Sequence, residues 1–195
     1  HLARANAALS NSELALAESD LTWGLQSVSD PEKVRYARET LTLLYLKENR
    51  SSEAVGLLES MSQDEAEPAQ KAELLSRIMD SYYAEGLLQE TANTARQILA
   101  VEFDDQPRAD RPYGLKEKAL FILGEILVRS ADNSDGVATL QAYVQQFPTG
   151  RFIVNAQLSL ATIAFSEGDL EQAKRQLVEV ENAELTSEQR FLVMY

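Results

Sequence analysis

The chain has 195 residues, with 31 Asp and Glu against 18 Lys and Arg for a formal net charge of −13, 45% hydrophobic residues, 8 Gly, 5 Pro, one His and no Cys. That composition predicts a folded, soluble, all-helical domain, with too little Gly and Pro for a turn-rich β protein. It excludes a disulfide framework, thiol catalysis, His-based triads and Cys/His zinc sites, and an acidic chain with no basic, aromatic-interleaved stripe is a poor nucleic-acid binder.

The stretch LARANAALSNSELALAESDLTWGLQSVSD reads as an incomplete or diverged helical unit over residues 1–30, with His1 a terminal residue rather than a ligand. Asp30 as N-cap and Pro31 at the first helical position predict the next helix start. A unit near 35–71 follows, RYARETLTLLYLKENRSSEAVGLLESM, whose Leu41, Tyr45, Ala54 and Leu58 fall at helical spacing. Within it Asn49-Arg50-Ser51 matches a glycosylation sequon at an expected hairpin turn. The segment SQDEAEPAQ is expected to open a helix, with Asp64, Glu65 and Glu67 complementing its positive N-terminus.

The unit near 72–116 carries Ile78, Tyr82, Gly86 and Ala95, and closes with VEFDDQPRADRPYGL, whose two Pro, one Gly and six charged residues predict a loop. The unit near 117–153 reads ALFILGEILVRSADNSDGVATLQAYVQQFP, with Leu123, Gly124, Leu127, Gly136, Leu140, Tyr143 and Pro148. Its most apolar run is broken by Glu125, and no stretch approaches the roughly 18–20 apolar residues of a membrane span. Asn133, Asp135 and Gly136 faintly resemble a calcium loop, but Ala131 and Ala142 stand where carboxylates are needed, so this is read as an inter-helix turn. The unit near 154–187 repeats the pattern with Leu160, Ala161, Ala164, Gly168, Ala173, Leu177 and Val180. After Thr186, with Gln189 three residues on, SEQRFLVMY starts a further helix over 187–195. The chain is therefore expected to be a fragment of a longer array, or to end in a capping helix.

This recurrence resembles the tetratricopeptide repeat (TPR) family, whose units are helix–turn–helix modules of about 34 residues. Starts near Arg35, Ala72, Glu117 and Val154 are 37, 45 and 37 residues apart. The resemblance implies an all-α fold, a right-handed α-solenoid of TPR-like antiparallel helix hairpins in a single domain spanning 1–195. Close helix approach in such a unit needs small residues, supplied by Ala54, Gly124, Ala161 and Ala173; Thr42, Met79 and Thr91 depart from that pattern. A narrower likeness lies in FPTGRFIVNAQLSLATIAFSEGDLEQAKRQL, where Phe147-Pro148, Gly150, Phe152, Ala156 and Leu160 are spaced as in envelope-associated bacterial repeat proteins of the outer-membrane assembly lipoprotein and Tol-Pal accessory types. It implies a periplasmic or envelope-associated location, with the cytoplasm as the alternative.

The family resemblance also implies that the first helix of each unit lines a concave groove. Projected onto this sequence, the partner-binding residues are Tyr36, Glu39, Leu43 and Leu46, then Glu73, Ser76, Asp80 and Tyr83. The later units contribute Lys118, Phe121, Glu125 and Val128, then Asn155, Leu158, Thr162 and Phe165. Aromatics and acids together suit an apolar protein or peptide segment with basic flanks. Capture of a C-terminal carboxylate is disfavoured, because Glu39, Ser76 and Asp80 fall where the family's carboxylate-clamp members carry Lys, Arg and Asn. The expected function is a non-enzymatic scaffold or adaptor that binds a protein segment in this groove; the alternative is a structural or oligomerising repeat arm of a larger multidomain protein. No catalytic residue, metal site or cofactor is implied, nor direct insertion into a membrane.

Overall fold

The computed structural model describes residues 1–182 apart from 11–12, 66, 109 and 130–132, so the helix expected over 187–195 lies outside the described residues. Among the described residues there are ten helices and no strand, in two compact units, His1–Leu87 and Leu88–Tyr195. The only bridge pairing among them joins Arg108 and Arg111.

The first unit contains α1 (Leu2–Ser10), α2 (Leu14–Ser27), α3 (Pro31–Lys47), α4 (Ser51–Asp64) and α5 (Pro68–Ala84), and α1 to α4 each pack against the helix that follows in sequence. Short connections between long helices force this neighbour-on-neighbour order. The start of α3 is the one the sequence predicts: Asp30 Oδ1 accepts from the Glu32 amide at 3.1 Å, and Pro31 stands at the first helical position. Ala5, Leu21, Ala37, Leu41 and Leu44 form the core, so the diverged stretch at 1–30 packs against α3 as a helix pair. Asp20, 1% exposed, is satisfied by Arg4 and by His1 Nδ1 at 2.7 Å, and the Arg4 guanidinium holds its carboxyl below the ordinary range. His1 is thus a structural partner, its ring centroid 3.8 Å from that of Trp23 and tilted 33° to it.

Departures from the small-residue pattern are accommodated locally. Thr42 is fully buried, but its hydroxyl donates to the Arg38 carbonyl at 2.8 Å, which removes the cost of an unpaired buried oxygen. Met79 is also fully buried, an unbranched side chain filling space that a small residue would leave. The acidic segment at 62–70 differs from expectation, because Asp64 is the last residue of α4 rather than part of a helix start. A carboxylate there opposes the helix dipole, and Arg38 Nη1 at 2.7 Å offsets it. Glu65 and Glu67 flank the connection, with Glu67 the N-cap of α5 and Pro68 at its first position.

Chain reversals repeat one geometry. Asn49 (φ 57°), Gly86 (φ 73°) and Gly168 (φ 82°) each sit in the left-handed region just beyond a helix. The amides of Arg50, Leu87 and Asp169 then reach back to Tyr45, Tyr82 and Ala164 carbonyls at 2.8–2.9 Å, as a Schellman turn requires. Arg50, at the reversal between α3 and α4, lies 4.3 Å over the Tyr45 ring and binds Glu18 through both terminal nitrogens at 2.9 and 3.0 Å. It also holds Glu53 at 2.9 Å.

The second unit contains α6 (Leu88–Ala100), α7 (Leu115–Leu127), α8 (Ser134–Gln146), α9 (Ile153–Ser166) and α10 (Leu170–Asn182), again packed in sequence order. Its core joins Leu140, Tyr143, Ile153, Val154, Ala156, Leu160 and Val180. Close approach of α7 and α8 depends on two glycines. A Cβ on Gly136 would lie 2.3 Å from the Val128 backbone nitrogen, and one on Gly124 would lie 2.6 Å from Leu140 Cδ2. The 101–114 loop folds back onto α7: Asp105 accepts from the Leu115 and Lys116 amides at 2.7 Å each, capping the helix from ten residues away. Gly114 leaves room for it, since a Cβ there would be 2.5 Å from Asp105 Oδ2.

Candidate functional site

Along α7, Lys118, Phe121, Glu125 and Val128 recur at intervals of three or four residues and share a face; Asn155, Leu158 and Thr162 do the same on α9. The structure brings Phe121, Glu125, Val128, Asn155, Leu158 and Thr162 together around one cleft of about 320 Å³ between the two helices. Ser159 and Ile163 also line it and were not among the sequence-chosen residues. Their signal was present in the sequence: Ser159 is one turn beyond Asn155 and Ile163 one turn beyond Ser159, so the face is wider than a single row.

The cleft is held open by its own packing. Phe121 lies flat against Phe152 at 4.9 Å and 5.7 Å from Tyr143, so half of this residue belongs to the core and half to the cleft wall. Leu158 and Val128 are likewise half-buried. Ser159 donates to Glu125 Oε1 at 2.5 Å, fixing the carboxylate across the gap between α7 and α9. Thr162 donates its hydroxyl to the Leu158 carbonyl at 2.8 Å, leaving the oxygen's lone pairs for another donor. No hydrogen bond to Glu125 Oε2 or to the Asn155 carboxamide is formed among the described residues. At one end of the α7 face, Lys118 Nζ lies 5.9 Å over the Tyr113 ring, contributed by the 101–114 loop. Beyond the cleft on α9, Phe165 is 68% exposed.

The chosen residues of the first unit are placed more openly. Leu43 is 62% exposed, and Tyr36, Tyr83 and Asp80 are also exposed, whereas Glu39 and Glu73 are half-covered. Tyr36 donates to Asn6 Oδ1 at 2.5 Å and Glu39 accepts from Arg35 at 3.2 Å. Ser76 departs from expectation: it is buried, so it forms part of the packing and not of an open surface. A second cleft of about 320 Å³ runs beside the start of α3, over Val34, Met61 and Leu74. Its arginines are engaged internally, Arg38 with Asp64 and Arg35 with Glu39, Glu65 and Gln70.

Among the described residues no group of three or more His, Cys, Asp or Glu is arranged to hold a metal ion, and no helix is long and apolar enough to cross a membrane.

Antiparallel helix hairpins packed in sequence order, with small residues at the crossings, define an all-α helical-repeat solenoid. The solved structures agree. The chain is similar to TPR-like repeats of Podosopora anserina attributed to a kinesin light chain, at 18% identity with a TM-score of 0.59, covering 91% of this chain and 90% of that one. A point variant of the same repeats matches at 19% identity and a TM-score of 0.58, covering 91% and 89%. At this identity the likeness establishes the TPR-like fold. No family model matches the sequence, and no curated protein matches it.

Proposed function

We propose that this chain is a non-enzymatic protein-interaction scaffold that holds a peptide or helical segment of a partner against the first helices of its repeats, with the α7/α9 cleft as the anchoring point in the second unit. The observation that carries this reading is the cleft itself: apolar walls from Phe121, Val128, Leu158 and Ile163 surround a few placed polar groups, the usual make-up of a recognition site. The chain's net charge of −13 favours partners with basic residues near the anchor. The same proposal places the scaffold in a bacterial envelope assembly, on the strength of the 147–177 sequence likeness, and fractionation of the source cell tests that part separately.

Selection of a random peptide library on the intact chain tests the binding role. Selected peptides are expected to lose affinity on Glu125→Lys through both a slower on-rate and faster dissociation, more at low salt than at high salt. Phe165→Ala, which removes an exposed ring, is expected to speed dissociation without changing the melting temperature. Undiminished binding by both folded variants would move the interaction elsewhere on the chain.

A further inference from the structure

Resting on that reading, we propose that the α7/α9 cleft is a subsite for a lysine side chain of the bound segment. The cleft presents three oxygens able to accept: Glu125 Oε2, the Asn155 carboxamide oxygen and Thr162 Oγ1, ringed by Phe121, Val128, Leu158 and Ile163. An ammonium has three donors and no acceptor, on a flexible four-carbon stem that packs along apolar surface. Each alternative is penalised by a group that lines the cleft. A purely apolar side chain would desolvate the Glu125 carboxylate and the Asn155 amide with nothing in return. An acidic one would meet Glu125 as a like charge. Arginine binds a carboxylate best through two parallel bonds, one of which would have to share Oε1 with the Ser159 hydroxyl, whereas an ammonium needs only Oε2. The remaining charge on this face of α7, Lys118, is seven residues from Glu125, about 10 Å along the helix axis, and sits over Tyr113 rather than in the cleft.

The test uses random dodecapeptides selected on the intact chain, each then assigned to the cleft or elsewhere by photocrosslinking from position 166, exposed on α9 one turn beyond Thr162. Cleft-bound peptides are expected to share a lysine at one fixed position. Replacing it by norleucine or Nε-acetyl-lysine should weaken binding at least tenfold, and replacing it by arginine at least threefold. On Glu125→Gln, which keeps an oxygen for Ser159 and removes the charge, the norleucine penalty should shrink to less than threefold. Thr162→Val, at an exposed position where folding is undisturbed, should shrink it in part and serves as the second variant. Cleft-bound peptides indifferent to lysine replacement, or binding as well with arginine, would overturn the lysine subsite while leaving the groove reading intact. Selected peptides that never crosslink from position 166, or no selected peptide at all, would overturn both.

Discussion

The phenol of Tyr143 in α8 donates to Glu117 Oε1 in α7 at 3.0 Å, with Tyr143 fully buried and Glu117 only 6% exposed. The same carboxylate oxygen accepts from the Arg151 amide at 2.6 Å, and the phenol oxygen accepts from the Phe152 amide at 3.0 Å. Glu117 Oε2 accepts from the Gly114 amide at 3.4 Å. One buried carboxylate and one buried phenol therefore tie the start of α7, the last turn of α8 and the reversal into α9. Gly150 makes room for both, since a Cβ there would lie 2.5 Å from the phenol oxygen and 2.7 Å from Glu117 Oε1. Tyr143→Phe should cost about 1–3 kcal/mol, because the Phe152 amide loses its acceptor and Glu117 loses a donor. Glu117→Ala should cost more, since it strands three donors. Thermal unfolding checks the order, each kcal/mol being worth roughly 2–4 °C in a chain of this size.

Burial, and then the charge on Glu117, push the Tyr143 phenol well above its ordinary value of 10. The folded state therefore favours the protonated phenol. Its contribution is fully present below the unfolded value and is lost as pH rises through and beyond 10. Stability measured from pH 8 to 12 should fall less steeply in Tyr143→Phe than in the parent chain.

On the acid side, the hydrogen bonds of Arg50 hold Glu18 and Glu53 below their ordinary value of 4.5. Depressed carboxylates stabilise above the unfolded value, and that stability is lost as pH falls through the folded one. Arg50→Met should therefore flatten the pH dependence below about pH 4.5, a change visible in denaturant midpoints taken between pH 3 and 7.

Two glycines should respond in opposite directions. Gly136→Ala forces a Cβ against the Val128 and Leu127 backbone, which cannot yield, and should cost about 1–3 kcal/mol. Gly56, exposed in α4 with nothing within 4 Å of a built Cβ, should gain about 0.5–1 kcal/mol on replacement by Ala. Melting temperatures of the two variants moving the same way would contradict the packing described for α7 and α8.

Asp105→Ala should cost about 0.5–2 kcal/mol by uncapping α7. Amide exchange at Leu115 and Lys116 should accelerate more than at Leu123, in the middle of the same helix.

Legibility in the sequence followed the range of the interactions. Asp30-Pro31 and Gly124 could be read because their signals are local or obey helical spacing. Glu117 could not: in the run Lys116-Glu117-Lys118 it looks like a solvated charge, and only partners 26 to 34 residues away bury it. Asp105 was hidden in a loop for the same reason, its role depending on a fold-back across ten residues. Asp64 was placed one helix too late, because acidic residues before a proline look alike at the end of one helix and the start of the next. For the candidate site, projecting the repeat-family resemblance onto the sequence named most of the cleft-lining residues, but not that Phe121 is shared with the core through Phe152, nor that Ser76 is buried.

In the proposed scaffold the partner segment lies on the first-helix face of the repeats. Site-specific photocrosslinking checks this, with p-benzoylphenylalanine placed at Ser166, exposed on α9 one turn beyond the α7/α9 cleft, or at Lys174, exposed on α10. With peptide at saturating concentration, a covalent adduct should form from position 166 and not from position 174, and excess unlabelled peptide should abolish it. An adduct from 174 with none from 166 would put the partner off the first-helix face.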